Sequence, residues 1–102
     1  MPSNKALAGP IYSILFEGTH EGTAFELLDW IRKRATSKKL REMTTEEYAR
    51  LLVSDAPYFL PQSLLQAVEK NSYPSEFDRA LWYLSEMPAS GVRILATAQV
   101  TS

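Results

Sequence analysis

The sequence predicts an α+β domain, with about four helices packed on a small sheet built from the two ends of the chain. Three observations carry that expectation. First, "IYSILF", residues 11–16, is a short β-branched and aromatic run punctuated by Gly18, and "VRILATAQV", residues 92–100, alternates as a strand does. Second, apolar residues between these two runs recur at helical spacing. Third, Thr23/Glu26 and Thr44/Glu47 have the spacing of capping boxes, which open helices. The expected order is β-α-α-α-α-β.

Residues 1–10 are polar and carry two prolines, which suits a loose lead-in to one globular domain over 11–102. In strand 11–16 both alternating sets, Ile11/Ser13/Leu15 and Tyr12/Ile14/Phe16, are largely apolar, so both faces should be covered. The first helix should start at Thr23. Its hydroxyl serves one free backbone N–H, and the Glu26 carboxylate reaches back to another. Ala24, Leu27, Leu28, Ile31 and Ala35 form the inward stripe, and the helix runs out in "RATSKKLR" as Thr36 and Ser37 weaken its propensity.

Thr44 and Glu47 open the second helix, with Met43 and Tyr48 spaced as a hydrophobic staple and Tyr48, Leu51 and Leu52 inward. Pro57 and Pro61 forbid a continuous helix through "SDAPYFLPQ". Pro61 suits the first position of the third helix, "PQSLLQAVEK", whose apolar side is Leu64, Leu65 and Val68. Ser75 should cap the fourth, with Phe77, Ala80, Leu81 and Leu84 inward, and Pro88 and Gly91 end it. The final strand should place Val92, Ile94, Ala96, Ala98 and Val100 on one face. Two strands alone make a marginal sheet. The edge of 92–100 is therefore expected to pair with a second copy, giving a homo-oligomer, in the simplest case a homodimer.

The totals narrow the function classes. A chain of 102 residues can bury one real core. With 45% apolar and 23% charged residues it resembles globular rather than disordered chains. A net charge of −1 provides no global field for nucleic acid or an anionic membrane. The absence of cysteine removes disulfides, thiolate metal sites and cysteine nucleophiles, and suits a reducing compartment. "MPSNKALAGP" does not read as a secretory signal, and no apolar stretch approaches the ~20 residues that span a bilayer. The expectation is a soluble, cytoplasmic protein with no membrane partner.

Three stretches invite a functional reading. "FEGTHEGTAFE", residues 16–26, holds the only histidine. A loop at 17–23 leading into a helix could aim backbone N–H groups at a phosphate. However, three residues rather than four separate Gly18 from Gly22, no lysine follows, and Glu17 and Glu21 repel an anion. His20 beside two glutamates lacks the further imidazoles or thiolates of a transition-metal site. As a general base for Ser13, Thr19 or Thr23 it lacks an orienting carboxylate. His20 is read as a turn residue, and no metal, cofactor or catalytic residue is expected. A small enzyme or ligand-binding domain using the 17–23 loop is the second alternative function.

Arg32, Lys33, Arg34, Lys38, Lys39 and Arg41 make up six of the eleven basic residues, and with them set aside the rest of the chain carries −7. They support the first alternative, nucleic-acid or phosphate binding. Against it, cations are favoured at any helix C-terminus, and the stretch has no interleaved aromatics for base stacking. A helix-turn-helix over 43–70 is excluded by its long, two-proline break.

The third stretch is aromatic. Trp82 and Tyr83 cannot both join the stripe of Phe77, Leu81 and Leu84, so at least one should lie at the rim. With Tyr58 and Phe59 they are the candidate anchors for a protein partner. The function expected first is a small non-enzymatic protein-protein interaction or regulatory module that self-associates and binds a partner the sequence does not name.

Overall fold

The computed structural model describes residues 9–98. β1 (Ile11–Leu15) lies at the centre of a three-stranded antiparallel sheet, between β2 (Thr19–Gly22) and β3 (Arg93–Ala98). The helices α1 (Ala24–Lys33), α2 (Lys38–Arg41), α3 (Thr45–Asp55), α4 (Gln62–Glu69) and α5 (Glu76–Glu86) come between β2 and β3. The class is α+β. Both the two-stranded sheet and the four-helix order are corrected by this architecture. Residues 1–8 of the expected lead-in and 99–100 of the expected last strand lie outside the described residues.

The extra strand comes from the stretch read as a loop. Glu17 and Gly18 take φ of 54° and 110°, and this left-handed pair turns β1 back on itself so that Leu15 pairs with Thr19 and Tyr12 with Gly22. Holding a glutamate there costs about 1 kcal/mol, whereas Gly18 adopts the conformation without a Cβ clash. "THEG" carries no apolar alternation, so it gave no strand signal.

The extra helix also has a local cause. α1 ends at Lys33, and Ser37, read above as weakening a helix, instead starts one: its hydroxyl accepts from the Leu40 N–H at 3.5 Å. The two predicted capping boxes are both formed. Thr23 N–H donates to Glu26 Oε1 at 3.0 Å, and Thr44 N–H to Glu47 Oε1 at 2.8 Å, with the reciprocal bonds to the threonine hydroxyls at 3.3 and 3.0 Å. Thr44 is exposed, so its cap can be tested cleanly. Thr44→Ala should lower stability by about 1 kcal/mol and Tm by about 5 °C in a circular-dichroism melt, while Thr44→Ser stays near wild type. An unchanged Tm for the alanine variant would contradict the cap.

Among the described residues only one face of the sheet is fully covered, which corrects the expectation for strand 11–16. Tyr12 and Ile14 are buried against a core that includes Leu28, Ala49 and Leu81 from α1, α3 and α5. Leu15, from the other set, is 44% exposed and Leu95 is 50% exposed, so an apolar patch faces outward. The single apolar face expected for 92–100 is corrected too. Ile14 pairs with Ile94 but Ser13 pairs with Ala96, so Leu95 is an extra residue in a bulge. A bulge inverts alternation. Val92 is buried and Ile94 partly buried, whereas Ala96 and Ala98, beyond the bulge, are exposed.

A second cluster lies beside the main core. Ala56, Leu60, Val68 and Tyr83 are buried together where α4 and the 3-10 turn Ala56–Tyr58 meet α5. Among the described residues, no helix is long and apolar enough to cross a membrane.

Candidate functional site

The sequence of α3 determines one wall of a groove. Tyr48, Leu51, Leu52 and Asp55 fall at spacings of three and four, so they share a face. Tyr48 and Leu52 are buried, and Leu51 and Asp55 are half-buried. Pro57 then forces the chain out of the helix into the 3-10 turn. The Phe59 and Leu60 N–H groups both donate to Ala56 O, at 2.9 and 3.1 Å, and the Leu60 side chain is buried. These ties fix the backbone around Tyr58 and Phe59, whose side chains are 84% and 65% exposed. Aromatics presented on a fixed turn lose little conformational entropy on contact.

The opposite wall is the end of α5. Ser90 Oγ donates to Leu84 O at 2.6 Å and accepts from Val92 N–H at 3.1 Å, which fixes the exit of that helix. Leu84, Met87 and Ala89, with Leu40 from α2, complete an apolar groove of about 290 Å³ alongside Phe59. A groove of that size admits one or two apolar side chains from another molecule. Tyr48 lines it, and burial pushes the ionisation of its phenol up, against a smaller pull from Arg32.

Of the four aromatics singled out, only Tyr58 and Phe59 are exposed. Trp82 is half-buried, with its ring edge-on to Tyr12 at 6.3 Å. Tyr83 is 2% exposed within the second core cluster and presents no surface to a partner. Tyr58, Phe59 and Tyr83 therefore do not form one patch.

Of the six basic residues, Arg32 is buried and the other five are exposed, most of them with local partners. Arg32 is 8% exposed; it donates to Arg41 O at 2.6 Å and to Asp29 Oδ1 at 2.7 Å. Lys33 pairs with Asp29 at 3.0 Å. The Arg34 guanidinium lies 3.9 Å from the centre of the Trp30 ring and donates to Trp30 O at 3.2 Å. Arg41 donates to Ala35 O and Thr36 O at 2.6 and 3.0 Å. Lys38 stands 3.9 Å from Glu42. Lys39 is exposed, with no side-chain hydrogen bond or ion pair among the described residues. The stretch thus closes the α1–α2 corner. Burial would push the Asp29 carboxyl up, but hydrogen bonds from Arg32, Lys33 and Thr45 outweigh it and hold the group down at about 2.

The 17–23 segment, read above as a loop, holds the turn and second strand of a hairpin, with Thr23 capping α1. The His20 ring centre lies 3.8 Å from that of Trp30, and its buried Nε2 has no hydrogen-bond partner among the described residues. Trp30 also meets Phe16 edge-on at 5.6 Å, so it joins the hairpin to α1. Among the described residues, no three His, Asp or Glu side chains lie together as metal ligands.

Sequence reasoning missed Asp78, which lies in the first turn of α5. It is buried, accepting from Tyr12 Oη at 2.8 Å and Ser75 Oγ at 2.6 Å, and so joins β1 to α5. Burial and this bond to Asp78 push the Tyr12 hydroxyl above its ordinary range. The missed groove left a weak signal: the period of Tyr48, Leu51, Leu52 and Asp55 ending at a proline-bearing aromatic turn. Compared with protein-family models, with curated proteins and with solved structures, the chain matches none.

Proposed function

We propose that this chain is a small non-enzymatic protein-interaction module. The reading is carried by one observation: Tyr58 and Phe59 stand exposed on a fixed turn beside an apolar groove. Exposed aromatics next to a concave apolar surface are typical binding anchors. A photocrosslinking residue in place of Phe59 should give a discrete adduct in the source cell, and the same group in place of exposed Glu46 should not. Equal, diffuse labelling from both positions would end the reading. Nucleic-acid binding through 32–41 has less support, because Arg32, Arg34 and Arg41 already donate to backbone carbonyls. A cytoplasmic location goes with this reading, as the cysteine-free sequence suits a reducing compartment.

Self-association is a second part of the proposal, and a separate observation favours it. β3 is an edge strand beside the outward patch of Leu15 and Leu95. Ser85 Oγ accepts from Ile94 N–H at 3.1 Å, which closes the edge next to α5, and the stretch from Leu95 to Ala98 has no strand on its outer side among the described residues. Sedimentation of the wild-type chain should show a mass that rises with concentration, and Leu95→Lys should hold it at the monomer. A wild-type mass of 11.5 kDa at all concentrations rules out self-association.

A further inference from the structure

Resting on the interaction reading, we infer that the groove between α3 and α5 takes an amphipathic helix of another protein, one that sets a lysine or arginine beside its apolar anchors. The chemistry of the groove points to this occupant. Its walls are apolar, and Asp55 is the only charged side chain among the described residues that line it. Asp55 is half-buried and makes no ion pair or capping hydrogen bond among those residues.

Two helices also end here. α3 stops at Asp55 and α5 at Glu86, and their C-caps, Ala56 and Met87, both line the groove. Neither helix has a basic residue in its last turn. Each helix end carries roughly half a negative charge, normally offset by a cation in that turn. Among the described residues the groove gathers two negative helix ends and an unpaired carboxylate, and its complement is a positive charge next to an apolar side chain. Amphipathic helices supply that combination at i, i+3 and i+4 spacing. On a second copy, exposed Arg93 lies opposite exposed Leu15 on the sheet, but a flat sheet face enters a groove poorly.

The probes are two synthetic amphipathic peptides with leucines at i, i+3 and i+4. They differ at one flanking position, lysine in one and glutamate in the other. Titrated into isotope-labelled full-length chain, the lysine peptide should shift the amide signals of Leu51, Asp55 and Ala89. It should bind about threefold to tenfold tighter than the glutamate peptide. Asp55→Asn should remove that difference while leaving the spectrum of the fold unchanged. Equal affinities, shifts confined to other surfaces, or no binding of either peptide would overturn the inference. So would a sedimentation mass that falls to the monomer on Phe59→Asp, because the occupant would then be a second copy. A discrete crosslink at position 59 with no lysine preference would discard this partner chemistry and leave the interaction reading standing.

Discussion

Tyr83→Ala is expected to destabilise the protein by about 3–5 kcal/mol, with no selective loss of binding. Its side chain is 2% exposed and fills the cluster of Ala56, Leu60 and Val68 that holds α4 and the 3-10 turn onto α5. Truncation leaves a large cavity, and domains of this size have only about 5–15 kcal/mol of stability in total. Urea denaturation should show the loss as a lower midpoint. Tyr83→Phe removes only the hydroxyl, which accepts a long 3.5 Å bond from Arg79, and should cost at most about 1 kcal/mol. Tyr58→Ala, at an 84% exposed position, should fall within about 0.5 kcal/mol of wild type. If Tyr83→Ala melts like wild type, the second core cluster is not formed as described. If it unfolds, a binding defect in that variant says nothing about a surface, and tests of the partner site belong at Phe59.

The features legible in the sequence were those in which a side chain acts on its own neighbourhood. Thr23 with Glu26, Thr44 with Glu47, and Ser75 each satisfy backbone N–H groups within three residues, so the spacing alone locates the helix starts. β2 could not be read the same way. Its four residues are held by backbone pairing to β1 and by a turn whose first residue, Glu17, is an uncommon choice for positive φ. The bulge at Leu95 had the same effect at a larger scale. One unpaired residue moved Ala96 and Ala98 to the outer face, and a count of alternate residues does not detect that.

The candidate site divides along the same line. Tyr58 and Phe59 stand out in the sequence because two prolines hold them off a helix. Choosing between Trp82 and Tyr83 needed the position of α4 and the 3-10 turn, which close over Tyr83 and make a second interior on the side of α5 expected to face solvent. The groove needed the end of α5 to come beside α3, a contact between elements far apart in sequence. Arg32 misled for a related reason. In sequence it is one of six cations, whereas its partners are Asp29 one turn back and the carbonyl of Arg41 across the corner.

Those contacts make Asp29→Ala the second large effect. Asp29 Oδ1 accepts from Arg32 at 2.7 Å and from Thr45 Oγ1 at 2.9 Å, and its Oδ2 lies 3.0 Å from Lys33, so one carboxylate joins α1 to α3. Arg32 is 8% exposed, and its Nε already lacks a hydrogen-bond partner among the described residues. Removing the carboxylate leaves a buried guanidinium without a counter-charge, which costs about 3 kcal/mol or more. Asp29→Asn keeps an acceptor and should lose less, and Asp29→Leu combined with Arg32→Met should recover part of the loss by removing both charges. The pH dependence follows from the acidity of Asp29, lowered from an ordinary 3.8 to about 2. A group lowered in this way stabilises the fold fully above its unfolded value, and that stabilisation disappears as pH falls through its folded value. In wild type a contribution of roughly 1–2 kcal/mol should therefore fade between about pH 4 and pH 2. Denaturation midpoints measured across that window should fall less steeply for Asp29→Ala than for wild type. Parallel slopes would mean that the carboxylate is not held by Arg32, Lys33 and Thr45 in solution.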